Sequence, residues 1–312
     1  MISRAVQNFN FGENFPAKIF AEICVVNDPL PHLSLFAENH AVRRFDLTLF
    51  LERELGIALI KDLQTALVAE HGAKWRFNEF VINAVSFTGE ISLHAASTEV
   101  KASAGTAGPE GYGLYAVEAE SGQPWQIRLT NIPQHAAPAA FAAVLSSEKY
   151  DRWQAMYRRA APLIQTLLAA GGESRPPVKA LGVAYADWFY WNHPDAPAVN
   201  QLLNESSDWI PQRLSASNGE CQFHLSSRTD PDDPEKSRID FLNFSVAQRE
   251  NLYSIELVHN LTWELHPPQA ARQLAPHLDR LYQAAHDENK KMFSNVLHPN
   301  VIKKLPDFQP VS

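Results

Sequence analysis

Residues 252–265 alternate with a period of two. Tyr253, Ile255, Leu257, His259, Leu261, Trp263 and Leu265 fall on one side, and Ser254, Glu256, Val258, Asn260, Thr262 and Glu264 on the other. Successive side chains of a β-strand point to opposite faces, whereas a helix would spread these residues around its circumference. A strand this long with one apolar face must pack that face against a core, which is the habit of antiparallel sheets.

Further strands are expected over residues 15–26, 75–87, 90–95, 113–118, 125–130, 178–191, 222–226 and 239–247, where β-branched and aromatic residues run between turn formers. The small, Gly-rich stretch 103–111 reads as a mobile hairpin loop, and the acidic stretch 229–236 as a surface one.

Helical spacing predicts three long helices. The first runs from Asp46 as N-cap to about His71, with Leu47, Phe50, Leu51, Leu55, Leu59, Leu63 and Leu67 at threes and fours and Gly72 as the stop. The second starts near Ser147, buries Tyr150, Trp153, Tyr157, Ala160, Ile164 and Leu167, ends at Gly171 and Gly172, and should bend or split at Pro162. The last covers about 269–297, with Leu274, Leu278, Leu281, Ala285, Met292 and Val296 on its apolar stripe. A short helix is expected over 198–204.

The order strand, helix, three or four strands, long helix thus occurs twice. The expectation is an α+β protein with antiparallel sheets packed against long helices, in two related halves, 1–145 and 146–312. With 312 residues, of which 45% are hydrophobic, the chain has ample material for a core.

A net charge of −8 argues against non-specific nucleic-acid binding, which needs clustered Lys and Arg. Residues 1–14 lack a basic segment followed by an apolar run, and no stretch approaches the length of a membrane span. Two cysteines, Cys24 and Cys221, are too few for a disulfide framework, and each reads as an inert thiol on a strand. A cytoplasmic setting is therefore expected.

Three segments, in order, carry a resemblance. Tyr150 and Trp153 open a helix as Tyr-x-x-Trp, Leu181-Gly182-Val183-Ala184-Tyr185-Ala186-Asp187 forms a strand, and a closing helix holds Leu281, His286, Asp287, Asn289 and Phe293. This resembles a sporadically distributed bacterial family of conserved hypothetical proteins. Its members combine a Tyr-x-x-Trp helix, a Gly-Leu-Arg-Tyr-x-Asn strand and a closing helix with His, Asn and Phe. Residues 16–23 resemble that family's first strand, so the likeness spans nearly the whole chain. Ala184 and Asp187 stand where the family pattern has Arg and Asn, so any role of that Arg would be missing here. The resemblance implies a fold and brings no activity with it.

The densest cluster is Tyr185-Ala186-Asp187-Trp188-Phe189-Tyr190-Trp191-Asn192-His193. It would wall a pocket that stacks a flat ligand, or, more plainly, form a strand buried on both faces. Asp187 is the awkward member, because a carboxylate among aromatics must be exposed, paired or shifted in pKa. His286 and Asp287, with His277 nine residues earlier, would serve acid–base or metal chemistry. However, the His-Glu-x-x-His spacing is absent, and a plain helix-packing role fits as well. His259, Glu264 and His266 would add to a His cluster in space. There is no Gly-x-Ser-x-Gly elbow, no Gly-x-x-x-x-Gly-Lys-Ser/Thr loop and no Gly-x-Gly-x-x-Gly turn after a strand.

The leading expectation is a non-enzymatic binding or regulatory protein that acts through a partner protein or a small ligand, with no cofactor or metal implied. Its pocket would hold Tyr150, Trp153, Tyr185, Asp187, Trp188, His286 and Asn289. The alternative is an enzyme with Asp187 and His286 as acid–base groups, and a third reading is a structural assembly subunit.

Overall fold

The computed structural model describes residues 28–305 and 308, apart from residues 39, 54, 56, 73, 95–96, 119–124, 132–140, 171, 173–174, 216–218 and 230–236. The described residues begin with β1 (Leu33–Leu35), β2 (Val42–Leu51), α1 (Ile57–His71), β3 (Trp75–His94), β4 (Ser97–Glu118), β5 (Trp125–Asn131) and β6 (Phe141–Ser147). Then follow α2 (Trp153–Ala169), β7 (Val178–Trp191) and the single turns α3 (Val199–Leu202) and α4 (Gln212–Ser215). It closes with β8 (Cys221–Thr229), β9 (Arg238–Arg249), β10 (Leu252–Gln269), α5 (Ala271–Leu274), α6 (Leu278–Val296) and α7 (Pro299–Ile302).

The strands form one antiparallel sheet in the order β3-β4-β5-β6-β2-β7-β10-β9-β8, with β1 also paired to β7. The expected α+β class with antiparallel pairing is what the fold shows, but as one continuous sheet rather than several. The strands on either side of residue 146 join where β2 pairs with β7, Phe45 opposite Tyr185 and Leu49 opposite Leu181. No helix among the described residues is long and apolar enough to cross a membrane.

Several expectations need correction. The segment opening at Asp46 is not helical: β2 occupies it, and α1 starts only at Ile57. Phe45, Leu47, Leu49 and Leu51 alternate and are all buried, and this period of two overrides the weaker spacing of Leu47, Phe50 and Leu51. The second helix starts at Trp153, because residues 141–147 form β6. Ala142 and Ala143 have low strand propensity, but a place between β5 and β2 supplies the packing that propensity lacks. Pro162 lies inside α2 without splitting it.

The Gly-rich stretch 103–111 is part of β4, with Ser103 opposite Thr88 and Gly105 opposite Ser86; register shifts at Ile82 and Asn83 absorb its irregularity. The expected final helix is interrupted. β10 reaches Gln269, and α5 and a 3₁₀ turn at Ala275–His277, which contains Pro276, precede α6. The strand expected over 15–26, with Cys24, lies outside the described residues, whereas Cys221 is a free, half-buried thiol at the start of β8.

One face of the sheet carries α1, α2 and α6, and its apolar side chains form two clusters. The first joins Phe45, Leu47 and Leu49 of β2 and Val183 and Tyr185 of β7 to Leu63, Ile164, Leu278 and Tyr282 of the helices. The second joins Phe189 and Trp191 of β7, Leu242 and Phe244 of β9 and Ile255 and Leu257 of β10 to Met292, Phe293 and Val296 of α6. Burial of this area is the main stabilising term of the fold.

Candidate functional site

A seam of polar residues separates the two clusters. On β7 the inward positions run Val183, Tyr185, Asp187, Phe189, Trp191; on β10 they run Ile255, Leu257, His259, Leu261. On α6, Tyr282 and Ala285 belong to one cluster and Met292 and Phe293 to the other, with His286 and Asn289 between them. Asp187, His259 and Asn289 are each buried.

At this seam the fold leaves a cavity of about 760 Å³. Tyr150, Trp153, Tyr185, Asp187, His286 and Asn289 line it, all six drawn from the segments singled out in the sequence. His40, Ala41 and Val42 close one side and Phe293, Leu305 and Phe308 another. Trp188 does not reach it. Odd positions of β7 face the helices, so Trp188 points to the opposite face, where Arg43 lies 3.7 Å above its ring. His277 and His266 are also absent from the lining.

The wall is ordered by aromatic contacts. The His286 imidazole stacks on Trp153, centroids 4.5 Å apart, and its Nδ1 lies 2.7 Å from the Tyr185 hydroxyl. Tyr150, which precedes α2, meets Tyr185 at 6.0 Å and His40 at 5.5 Å, both edge to face. Trp153 Nε1 donates to Gln283 Oε1 at 2.6 Å, and Gln283 Nε2 donates to Asp287 Oδ1 at 2.9 Å.

Burial sets the protonation states. It pushes the His286 pKa down to about 3, with Lys290 adding to the effect, so the imidazole is neutral. Burial alone pushes the Asp187 carboxyl up to about 8, with no cation among the described residues to offset it. Burial first, then Tyr150 and Asp187, holds the Tyr185 hydroxyl well above its ordinary value.

Behind Asn289 a hydrogen-bonded chain runs out to the surface. The Asn289 amide has only hydrogens on Nδ2, so it donates to His259 Nδ1 at 2.7 Å, which leaves the proton on His259 Nε2 to bond Asp240 Oδ1 at 3.1 Å. Asp240 accepts from Arg238 Nε at 2.7 Å, and Arg238 reaches Glu288 at 2.7 Å. Asp240 was not among the sequence candidates. Its signal is a polar residue at an inward position, since it shares the parity of Leu242, Phe244 and Val246. His259, expected to cluster with other histidines, pairs with Asn289 and Asp240 instead. No group of three metal-ligating side chains occurs among the described residues.

The arrangement defines an α+β protein whose sheet and α6 flank an aromatic cavity lined, among the described residues, by a buried carboxyl with no cation beside it. No protein family, curated protein or solved structure matches the chain.

Proposed function

We propose that this is a non-enzymatic binding protein that takes a small ligand into the cavity at the seam. The observation that carries this reading is the cavity itself. At about 760 Å³ it falls in the range of small-molecule sites, and aromatic walls with a few convergent polar groups are how such sites are built. Tyr185 and Trp153 hold their positions through His286, and Asn289 is held through His259, so the polar groups are fixed before a ligand arrives.

The repeated order of elements supports reading the chain as two related halves, with the cavity near their junction at β2 and β7. The resemblance to conserved hypothetical proteins is part of this reading, and composition supports placing it in the cytoplasm.

The alternative is an enzyme with Asp187 and His286 as acid and base. The raised carboxyl favours it, since an acid near pKa 8 is poised to donate at neutral pH. His286 argues the other way, because an imidazole near pKa 3 is a feeble base. Binding is the better supported function.

Native mass spectrometry of the chain, released gently from its host, checks this. The expected result is a reproducible low-mass adduct that is lost on denaturation. A bare chain whose Trp153 indole resonance stays unmoved by a fragment library would overturn it, and a co-purifying protein at fixed stoichiometry would point to partner binding instead.

A further inference from the structure

We infer that the ligand of this cavity is an organic cation, a protonated or quaternary amine with an apolar body. Its charge sits against Asp187, and its apolar surface against Tyr150, Trp153 and Tyr185. This rests on the reading of the cavity as a ligand site.

Asp187 is 5% exposed and sits between Val42 of β2 and Leu257 of β10 in the sheet register. Neither neighbour can offset a charge, and an uncompensated buried carboxylate is among the costliest groups a core can hold. A residue needed only to fill this inward position would match Phe189 two places on, which is fully packed. Among the described residues the other buried carboxylates have cations: Glu118 has Lys74 and Arg159, Asp240 has Arg238, and Glu264 has Arg228. Asp187 has none, and it borders the cavity, from which a ligand's cation would reach it.

The rings around it favour the same occupant. Tyr and Trp present negative π-faces that attract cations, most strongly where water is excluded. Tyr150, Tyr185 and Trp153 all line this space. At the rim the carboxyls of Asp151 and Asp287 accompany Arg152 and Lys290, so with Asp187 the lining has more acids than bases. An anion would meet Asp187 directly. A neutral ligand would pack on the same rings without using the Asp187 charge.

Three probes of one shape separate these cases: benzyltrimethylammonium, its neutral isostere neopentylbenzene, and anionic phenylmethanesulfonate. Titration calorimetry on the full chain should show the cation binding at least about tenfold more tightly than the neutral isostere. Asp187→Asn should erase that preference.

A second readout needs no variant. Cation affinity should rise between pH 6 and 9 with release of a proton, because the bound charge favours ionised Asp187. Tyr150, Tyr185, His40, His286 and His259 also face this region. Burial moves both tyrosines up and all three histidines down, so each keeps one protonation state across most of that window. The charged rim of Asp151, Arg152, Asp287 and Lys290 completes the surroundings.

Equal or tighter binding of the neutral probe, or a preference that survives Asp187→Asn, overturns the cation assignment and leaves the cavity a ligand site. Binding of none of the three overturns both.

Discussion

Trp153 and His286 lie face to face, with their ring planes 6° from parallel and the Tyr185 hydroxyl 2.7 Å from the imidazole Nδ1. A single neutral side chain on α6 thereby fastens three elements, α2, α6 and β7, around the cavity. Because the imidazole is half-buried and uncharged, its contribution is packing and one hydrogen bond rather than an ion pair.

Replacing His286 with Ala removes the stack and leaves the Tyr185 hydroxyl unpaired. The expected cost is about 2–4 kcal/mol, from the void and the lost bond together. His286→Phe keeps the stack and should cost about 1–2 kcal/mol. Urea unfolding of both variants measures the difference, and equal losses would show that the stack contributes nothing and the hydrogen bond carries the whole loss.

The two shifted groups give opposite pH dependences. Asp187 has an ordinary pKa of 3.8 and a folded value of about 8. The folded chain therefore holds a proton that the unfolded chain has released, and stability falls as pH rises through that window. His286 drops from 6.5 to about 3, so its unfolded form binds the extra proton and stability falls as pH drops below 6.5. Above pH 6.5 the Asp187 slope stands without the His286 one. Thermal unfolding from pH 6.5 to 8 should show the wild type losing stability and Asp187→Asn losing much less, with the variant ahead by about 1 kcal/mol or more at pH 8.

The chain behind Asn289 should respond in graded fashion. Asp240→Ala leaves Arg238 and His259 without their shared acceptor and should cost about 3–5 kcal/mol. Asn289→Ala removes only the donor to His259 Nδ1 and should cost about 1–2 kcal/mol. Imidazole nitrogen shifts should report His259 protonated on Nε2 in the wild type. The Nδ1-protonated form would show that the Asn289 amide is turned the other way.

On the opposite face of the sheet, β7 leaves little room for a side chain at Gly182. A Cβ there would lie 3.0 Å from Phe50 Cε2 and 3.2 Å from Thr48 Cβ. Gly182→Ala should cost about 1–3 kcal/mol by overpacking, and Phe50→Leu in the same chain should recover part of it. Denaturant midpoints of the single and double variants test this, and additive losses would count against the contact.

The candidate residues were readable wherever a polar or aromatic group interrupts a regular apolar pattern. Asp187 breaks the inward row of β7, and His286 and Asn289 break the stripe of α6. Trp188 was misplaced with them because nearness in sequence says nothing about side once the segment is a strand; its parity sends it to the face where Arg43 lies. The segment beginning at Asp46 was misread for a related reason. Leucines at 47, 51, 55 and 59 fit a helix, whereas Phe45, Leu47, Leu49 and Leu51 fit a strand, and only the pairing of β2 with β6 and β7 selects between them.

The sequence by itself determined the local periods. The alternation of 252–265 admits no helix, and the spacing of Leu278, Leu281, Ala285 and Met292 admits no strand. The tertiary structure decided which of these rows share a face. Cross-strand register is set by side-chain packing between segments far apart in the chain, and no local pattern encodes it. That packing brings Asp187, His259 and Asn289 onto one seam, and it leaves Asp187 with no cation beside it among the described residues.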